Sequence, residues 1–105
     1  MIEVYYDQSE TEFYLSICGH ANYAENGKDV VCAGVSTLAY TLAEYLSVED
    51  FDIPLHVSFN DGAAEISCHA TEDNVVRIQA AFDFAMTGIK VIAQEYPSYV
   101  VVKGE

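Results

Sequence analysis

Apolar and polar residues alternate in four short segments of the chain, which is typical of strands that bury one face. The polar run Asp7-Gln8-Ser9-Glu10 separates the first two segments. Asn60-Asp61-Gly62 separates the other two, and its Asp-Gly step favours a hairpin turn. The buried positions predicted for these strands are Ile2, Val4 and Tyr6, then Phe13, Leu15 and Ile17, then Ile53, Leu55, Val57 and Phe59, then Ala64, Ile66, Cys68 and Ala70.

Two longer stretches repeat their apolar residues at steps of three and four, which predicts helices from about Asp29 to Ser47 and from about Asp73 to Glu95. Pro97 stops the second helix, and Tyr99 to Val102 is a last short strand. The order ββαββαβ predicts a single α+β domain over residues 1–105, with a mostly antiparallel sheet packed with two helices. The stripe predicted to be buried on the first helix is Val31, Val35, Leu38, Leu42 and Tyr45.

The composition narrows the classes of partner and location. The chain has 17 acidic and 4 basic residues, a net charge of −13 at pH 7, which argues against nucleic-acid binding and favours basic protein partners. Its longest apolar stretch, Val30 to Ala43, is too short to span a bilayer, and Glu3 and Asp7 do not suit a signal peptide. We therefore expect a cytoplasmic protein without a membrane partner.

The residues that could take part in catalysis lie between Gly19 and Ser36. Cys32 falls three residues after Asp29, the predicted N-cap, where free backbone N–H groups stabilise a thiolate. His20 ends the second strand, and the twelve positions that separate it from Cys32 are enough for the loop to fold back. A thiolate with an imidazole in reach is the minimal set of parts for a cysteine nucleophile and its base.

Two further positions can support that chemistry. Ser36 lies one turn after Cys32 on the same helix face and can donate its hydroxyl to a thiolate or a substrate oxygen. The backbone N–H groups near Gly19 and Cys32 are candidate oxyanion donors.

Each of these residues also has a plainer interpretation. Cys32 can be a small buried hydrophobe, and Asp29 can act as a helix cap alone or also orient His20. No pair of candidate zinc ligands has the short spacing along the chain that is usual for a zinc site, so we expect no metal. A redox-sensing thiol would need Cys18 as the resolving partner of Cys32.

Gly19-His20-Ala21, then a loop, then the run GKDVVCAGVS (residues 27–36) resembles the ribosomal-processing cysteine protease family (Prp) of small bacterial proteins. The resemblance covers essentially the whole chain, including the ending Tyr96-Pro97-Ser98-Tyr99. It implies that His20 and Cys32 form a catalytic dyad and that Asp29 and Ser36 accompany it.

The same resemblance implies a substrate and an assembly. Proteins of this family remove a short N-terminal extension from a large-subunit ribosomal protein, cut after an aromatic residue, and form homodimers. It also implies a mobile loop before the cysteine, here Asn22, Tyr23, Asn26 and Gly27, and we expect no cofactor. The hypothesis is thus a cysteine endopeptidase of bacterial ribosome maturation. The alternative is a non-enzymatic, acidic, dimeric binding module for a basic ribosomal or other protein.

Overall fold

A computed structural model describes residues 1–25 and 28–104 of the chain. Within them the elements follow the predicted order ββαββαβ. The strands are β1 (Ile2–Ser9), β2 (Glu12–Cys18), β3 (Leu55–Asn60), β4 (Ala63–His69) and β5 (Val100–Gly104), and the helices are α1 (Val30–Val48) and α2 (Val75–Glu95).

The five strands form one mixed sheet in the order β3-β4-β2-β1-β5. Among the described residues, three pairings are antiparallel, β1 with β2, β2 with β4 and β3 with β4, and β5 runs parallel to its neighbour β1. The predicted α+β class with a mostly antiparallel sheet is therefore confirmed.

The core lies between the sheet and the helices. Val4, Leu15 and Ile66 occupy three neighbouring strands, where alternate residues face the same side, and all are almost fully buried. Phe82 of α2 stacks on the ring of Phe13, with the two centroids 5.0 Å apart. α1 packs beside α2, so both helices cover the same side of the sheet.

Some predicted core positions are wrong. Leu38 and Tyr45 of α1 are only half-buried, because they face the junction with α2, whereas Ala39, Ala43 and Leu46 are buried instead. Val57 is 38% exposed, and it lies on β3, an edge strand with a neighbour on one side only. Helix α2 begins two residues later than the pattern predicts, at Val75.

The length argument against a membrane span also needs correction. α1 extends to Val48, and by length and composition alone it could cross a membrane. Six of its residues are buried in the core of this fold, which is the arrangement of a core helix.

Candidate active site

Cys32 is the third residue of α1 and is half-buried. Asp29 has an extended backbone and caps the helix, as predicted. Its Oδ1 atom accepts hydrogen bonds from the backbone N–H groups of Val31 and Cys32, both at 3.0 Å. The sulfur of Cys32 accepts a hydrogen bond from the backbone N–H of Ala21 at 3.3 Å. A thiol at this place therefore has a fixed amide donor and the positive end of a helix dipole beside it.

Asp29 also holds the loop that precedes the helix. Its second oxygen, Oδ2, accepts from the backbone N–H groups of Tyr23 at 3.0 Å and Ala24 at 3.4 Å. These amides, with the Cys32 N–H as the largest contributor, hold the pKa of the Asp29 carboxyl below its usual value. Because both oxygens bind backbone amides, the carboxylate acts as a cap and a loop anchor, and within the described residues it makes no hydrogen bond to His20.

His20 is placed by the end of β2 and by the turn between β3 and β4. The backbone N–H of Gly19 donates to the carbonyl oxygen of Gly62 at 2.9 Å, which fixes the turn beside the histidine. The His20 side chain is 53% exposed, and its Nε2 atom lies 3.7 Å from Oδ1 of Asp61. Gly62 has a φ of +73°, which strains any other residue, and a Cβ atom there would lie 2.8 Å from His20 Nε2, so a larger residue would displace the exposed ring.

His20 and Cys32 open into the same cavity, which has a volume of about 520 Å³ and also borders Asn22, Ser36 and Asp61. Among the described residues, no hydrogen bond joins the imidazole to the sulfur. The structure therefore brings the two predicted residues to one cavity without a hydrogen bond between their described side chains.

A second cavity of about 410 Å³ adjoins the first and shares His20, Cys32, Ser36 and Asp61 with it. Its remaining walls are largely apolar. The rings of Tyr40 and Phe59 stack there with centroids 4.1 Å apart. We call the two cavities together the groove; it has a polar end near Asn22 and an apolar end at the Tyr40–Phe59 pair.

The remaining predicted residues have mixed outcomes. Ser36 is exposed and lines both cavities, while Asn22 is exposed with a φ of +57°. The ring of Tyr23 contacts Tyr96 and Tyr99 edge-on, with centroid distances of 5.3 and 5.2 Å. Asn26 and Gly27, predicted as part of the mobile loop, lie outside the described residues.

The predicted oxyanion donors are amides near Gly19 and Cys32. The N–H of Gly19 itself donates to the carbonyl oxygen of Gly62, and the N–H of Cys32 itself donates to Asp29. The N–H of Ala21, two residues after Gly19, points at the sulfur of Cys32. That amides near these two residues bind an oxyanion stays a prediction.

Sequence reasoning missed Asp61 and the Tyr40–Phe59 pair. The signal for Asp61 was the Asp-Gly hairpin step, which predicts a turn but not the histidine packed against it. The Tyr96–Tyr99 ending, which the family resemblance includes, contacts the ring of Tyr23 in the loop before Cys32.

Neither the zinc nor the redox alternative gains support. In residues 1–25 and 28–104, no group of three or more His, Cys, Asp or Glu side chains could hold a metal ion. Cys18 is exposed and alternates with the core-facing residues of β2, so it lies on the sheet face away from the helices and from Cys32.

The chain matches the family model described as "Cysteine protease Prp" over residues 1–101. It is 26% identical over 92 residues to the ribosomal processing cysteine protease Prp of Mycoplasma genitalium, with 88% of each chain covered. Among solved structures, it resembles an essential ribosomal processing protease Prp from S. aureus in complex with a covalently linked product peptide. That match has a TM-score of 0.84, 21% identity and full coverage of both chains. It also resembles SMU.848 from Streptococcus mutans, with a TM-score of 0.74, 28% identity, and coverage of 99% of this chain and 93% of the other.

Proposed function

The chain belongs to the cysteine protease Prp family, and on that premise we propose that it removes the short N-terminal extension of a large-subunit ribosomal protein. We assign Cys32 as the nucleophile and His20 as its base. The observation that carries this assignment is that both side chains open into one groove at the start of α1. Because the family is one of proteases, the alternative of a non-enzymatic binding module is set aside.

The proposed reaction uses the two residues in sequence. His20 takes the thiol proton of Cys32, and the sulfur attacks the carbonyl carbon of the scissile bond. The C–N bond then breaks as the imidazolium returns its proton to the leaving amine. Water hydrolyses the remaining thioester and frees Cys32. The amide of Ala21, 3.3 Å from the sulfur, supports this role because it can donate to a thiolate.

Binding of the peptide completes the dyad in this proposal. His20 Nε2 lies 3.7 Å from Oδ1 of Asp61 and makes no hydrogen bond to a sulfur within the described residues, and catalytic hydrogen bonds often tighten only in the substrate complex. A small rotation of the exposed imidazole, with closure of the loop anchored by Asp29, would bring base and nucleophile together.

The groove supports a basic peptide with an aromatic residue at the cut. The Tyr40–Phe59 pair gives the apolar end a flat aromatic wall, which suits an aromatic side chain. Asp61 and Asp29 border the groove, and the chain as a whole carries a charge of −13, which attracts a basic ribosomal protein. That the S. aureus relative was solved with a covalently linked product peptide is consistent with a thioester route.

We further propose that the enzyme works in the bacterial cytoplasm, where ribosomal precursors are made, and that it acts as a homodimer on protein rather than on nucleic acid. The acidic surface supports this choice of partner.

The test is incubation of the purified chain, under reducing conditions, with a peptide that spans the extension junction, followed by mass spectrometry. Wild type should give two products cut after an aromatic residue. Cys32→Ala should bind the peptide and lower the cleavage rate roughly 10⁴-fold or more. Cys18→Ala, which removes an exposed thiol on the far sheet face, is the matched control and should cut normally. Intact peptide with wild type, or cleavage that survives Cys32→Ala, would contradict the proposal.

A further inference from the structure

One face of the sheet is left uncovered by the two helices within residues 1–25 and 28–104. Both helices pack on the opposite face, so the alternate strand residues that point away from them meet solvent. We call this surface the open face; its side chains include Tyr5, Asp7, Glu12, Tyr14 and Glu65. It carries a cavity of about 560 Å³ near the start of β2, distinct from the groove that holds His20 and Cys32.

Carboxylates predominate among the charged groups of the open face. Four of them lie on it: Glu3, Asp7, Glu12 and Glu65. Lys103 is the single lysine or arginine that the described strands contribute, and it pairs with Glu3 at 2.5 Å. Asp7 and Glu12 border the cavity. His69 donates from Nδ1 to Glu12 at 3.1 Å, but a neutral imidazole does not cancel the charge of the carboxylate. The cavity therefore presents negative charge that is not offset by a lysine or arginine of the described strands.

An aromatic ring lies between the carboxylates of the cavity. Tyr14 stands opposite Asp7 of β1 and two residues after Glu12 on β2, so the three side chains share one patch of the open face. The hydroxyl of Tyr14 donates to Oε2 of Glu65 at 2.9 Å, and the ring of Tyr5 lies tilted against it with centroids 6.1 Å apart. A fixed ring flanked by carboxylates suits a lysine or arginine side chain, because the ring face attracts the cation and the carboxylates accept from its N–H groups.

Strand β2 links this cavity to the catalytic groove. The cavity lies at the start of the strand, and the groove lies at its end, where His20 follows Cys18 and Gly19. Seven strand residues that rise about 3.3 Å each separate the two by roughly 20 Å. The extension that the proposed function removes is N-terminal, so the rest of the precursor follows the scissile bond. An extended chain would reach the cavity about six to ten residues beyond that bond.

We propose that the open face around Asp7, Glu12 and Tyr14 is a second docking surface for the substrate, which binds lysine or arginine side chains of the precursor downstream of the cut. This inference rests on the proposed function and adds to it a surface outside the catalytic groove. The occupant follows from charge, because this patch attracts a basic polypeptide and repels a nucleic acid or a second copy of so acidic a chain. The contact raises the affinity for the precursor and takes no part in the chemistry.

Peptide cleavage with three substrates tests the proposal. The short peptide ends about four residues after the cut, and the long peptide continues for about fifteen residues with the basic sequence of the precursor, enough to span the roughly 20 Å to the cavity. The third is the long peptide with the lysines and arginines beyond its short counterpart replaced by glutamine. Wild type should cut the long peptide with a KM about three- to tenfold below the other two and a similar kcat. This advantage should disappear near 1 M NaCl, because salt screens exposed ion pairs.

Two double variants locate the effect on the surface. Asp7→Asn with Glu12→Gln removes two charges at exposed positions while keeping the side-chain shapes. It should raise KM for the long peptide to the short-peptide value and leave kcat and the short-peptide KM unchanged. Glu44→Gln with Asp50→Asn is the matched control, since it removes the same two charges at exposed positions on and just after α1, away from the open face. The control should keep the long-peptide advantage.

Three results would overturn the proposal: an equal KM for the three peptides with wild type, a long-peptide advantage that survives the Asp7–Glu12 double variant, or an equal loss in the control. The last would mean that the net charge of −13 attracts the substrate without this patch. Fluorescence anisotropy with the labelled basic segment alone, which lacks the junction, separates the outcome from the proposed function. If the segment binds through Asp7 and Glu12 but the chain cuts no peptide, only the protease assignment is contradicted. Cleavage of the peptides without binding of the segment contradicts only the second docking surface.

Discussion

The two helices begin in different ways, although each starts after a residue with a short polar side chain. At the start of α1, Asp29 binds forward to the helix amides of Val31 and Cys32 and backward to the loop amides of Tyr23 and Ala24. At the start of α2, Asn74 makes no side-chain bond to its own helix. Its side chain instead accepts from the N–H of Thr71 at 2.8 Å and donates to the carbonyl oxygen of Phe51 at 3.3 Å.

This difference in hydrogen bonding distinguishes a helix start that only stabilises the fold from one that can also support catalysis. Asn74 ties α2 to the preceding turn and to the segment after α1, so its contribution is to the fold. Asp29 joins the first turn that carries Cys32 to the loop that follows His20, so it couples the two halves of the proposed dyad. The positive end of a helix dipole lies at the start of both helices. Of the two starts, that of α1 is the one that presents a thiol to a cavity.

Replacing Asp29 or Asn74, the residues that precede the two helices, by alanine gives the largest contrast. Asp29→Ala frees two helix amides and the loop, so we expect the thermal midpoint to fall by about 4–8 °C and the cleavage rate to fall roughly 10- to 100-fold. Asn74→Ala removes two hydrogen bonds worth about 1 kcal/mol each and should lower stability while leaving cleavage at the wild-type rate. Thermal unfolding and peptide assays on both variants measure this. Equal loss of activity in both would remove the distinction between the two helix starts.

The sequence predicts the α1 start well because the information is local. A cap residue, a following apolar stripe and a cysteine three positions on are enough to place Cys32 in the first turn. It does not predict the loop bonds of Asp29, since those depend on the path of a segment without periodicity.

The order of the strands in the sheet cannot be predicted from the sequence, for a similar reason. Each hairpin is specified by its own turn, but the pairing of β2 with β4 and of β1 with β5 joins segments far apart in the chain. The contact of Asp61 with His20 follows from that order, because pairing with β2 brings the β3–β4 turn beside the end of β2. No spacing between residues 20 and 61 could reveal it.

The ring of Tyr23 is a second attachment of the loop that precedes α1, and it can be removed without changing the cap Asp29. Tyr23→Ala loses two edge-on aromatic contacts, each worth about 0.5–1.5 kcal/mol beyond its buried area, so KM for the peptide should rise about three- to tenfold. Tyr23→Phe keeps both rings and is the matched control, with a KM close to wild type. Steady-state kinetics on the two variants decides the matter, and an unchanged KM in Tyr23→Ala would show that Asp29 alone holds the loop.

The pH dependence of stability distinguishes Asp29, a charged cap, from Asn74, a neutral residue whose side chain does not cap α2. The pKa of Asp29 is lowered from 3.8, chiefly by the Cys32 N–H, so the folded state favours the carboxylate and the unfolded state binds more protons. Its contribution is therefore fully present above about pH 4 and is lost as the pH falls through the lower folded pKa. Chemical unfolding of wild type and Asp29→Asn from pH 3 to 7 should show a stability difference that shrinks toward acid. The same series for wild type and Asn74→Ala should show a constant difference, and parallel curves for both pairs would contradict this.

The smallest effect concerns Asp61, whose side chain is 98% exposed. Its carboxylate lies 3.7 Å from Nε2 of His20, so at low ionic strength it should favour the imidazolium that forms when Cys32 gives up its proton. Water and salt screen so exposed a pair, and Asp61→Asn should lower kcat/KM only about twofold at low salt and not at all near 1 M NaCl. Loss of activity at both salt concentrations would instead mean that Asp61 holds the shape of the turn, and Gly62→Ala would then reproduce it by pushing the ring away. Either result extends the comparison of helix starts, because it shows whether the α1 site depends on charge from outside its own loop.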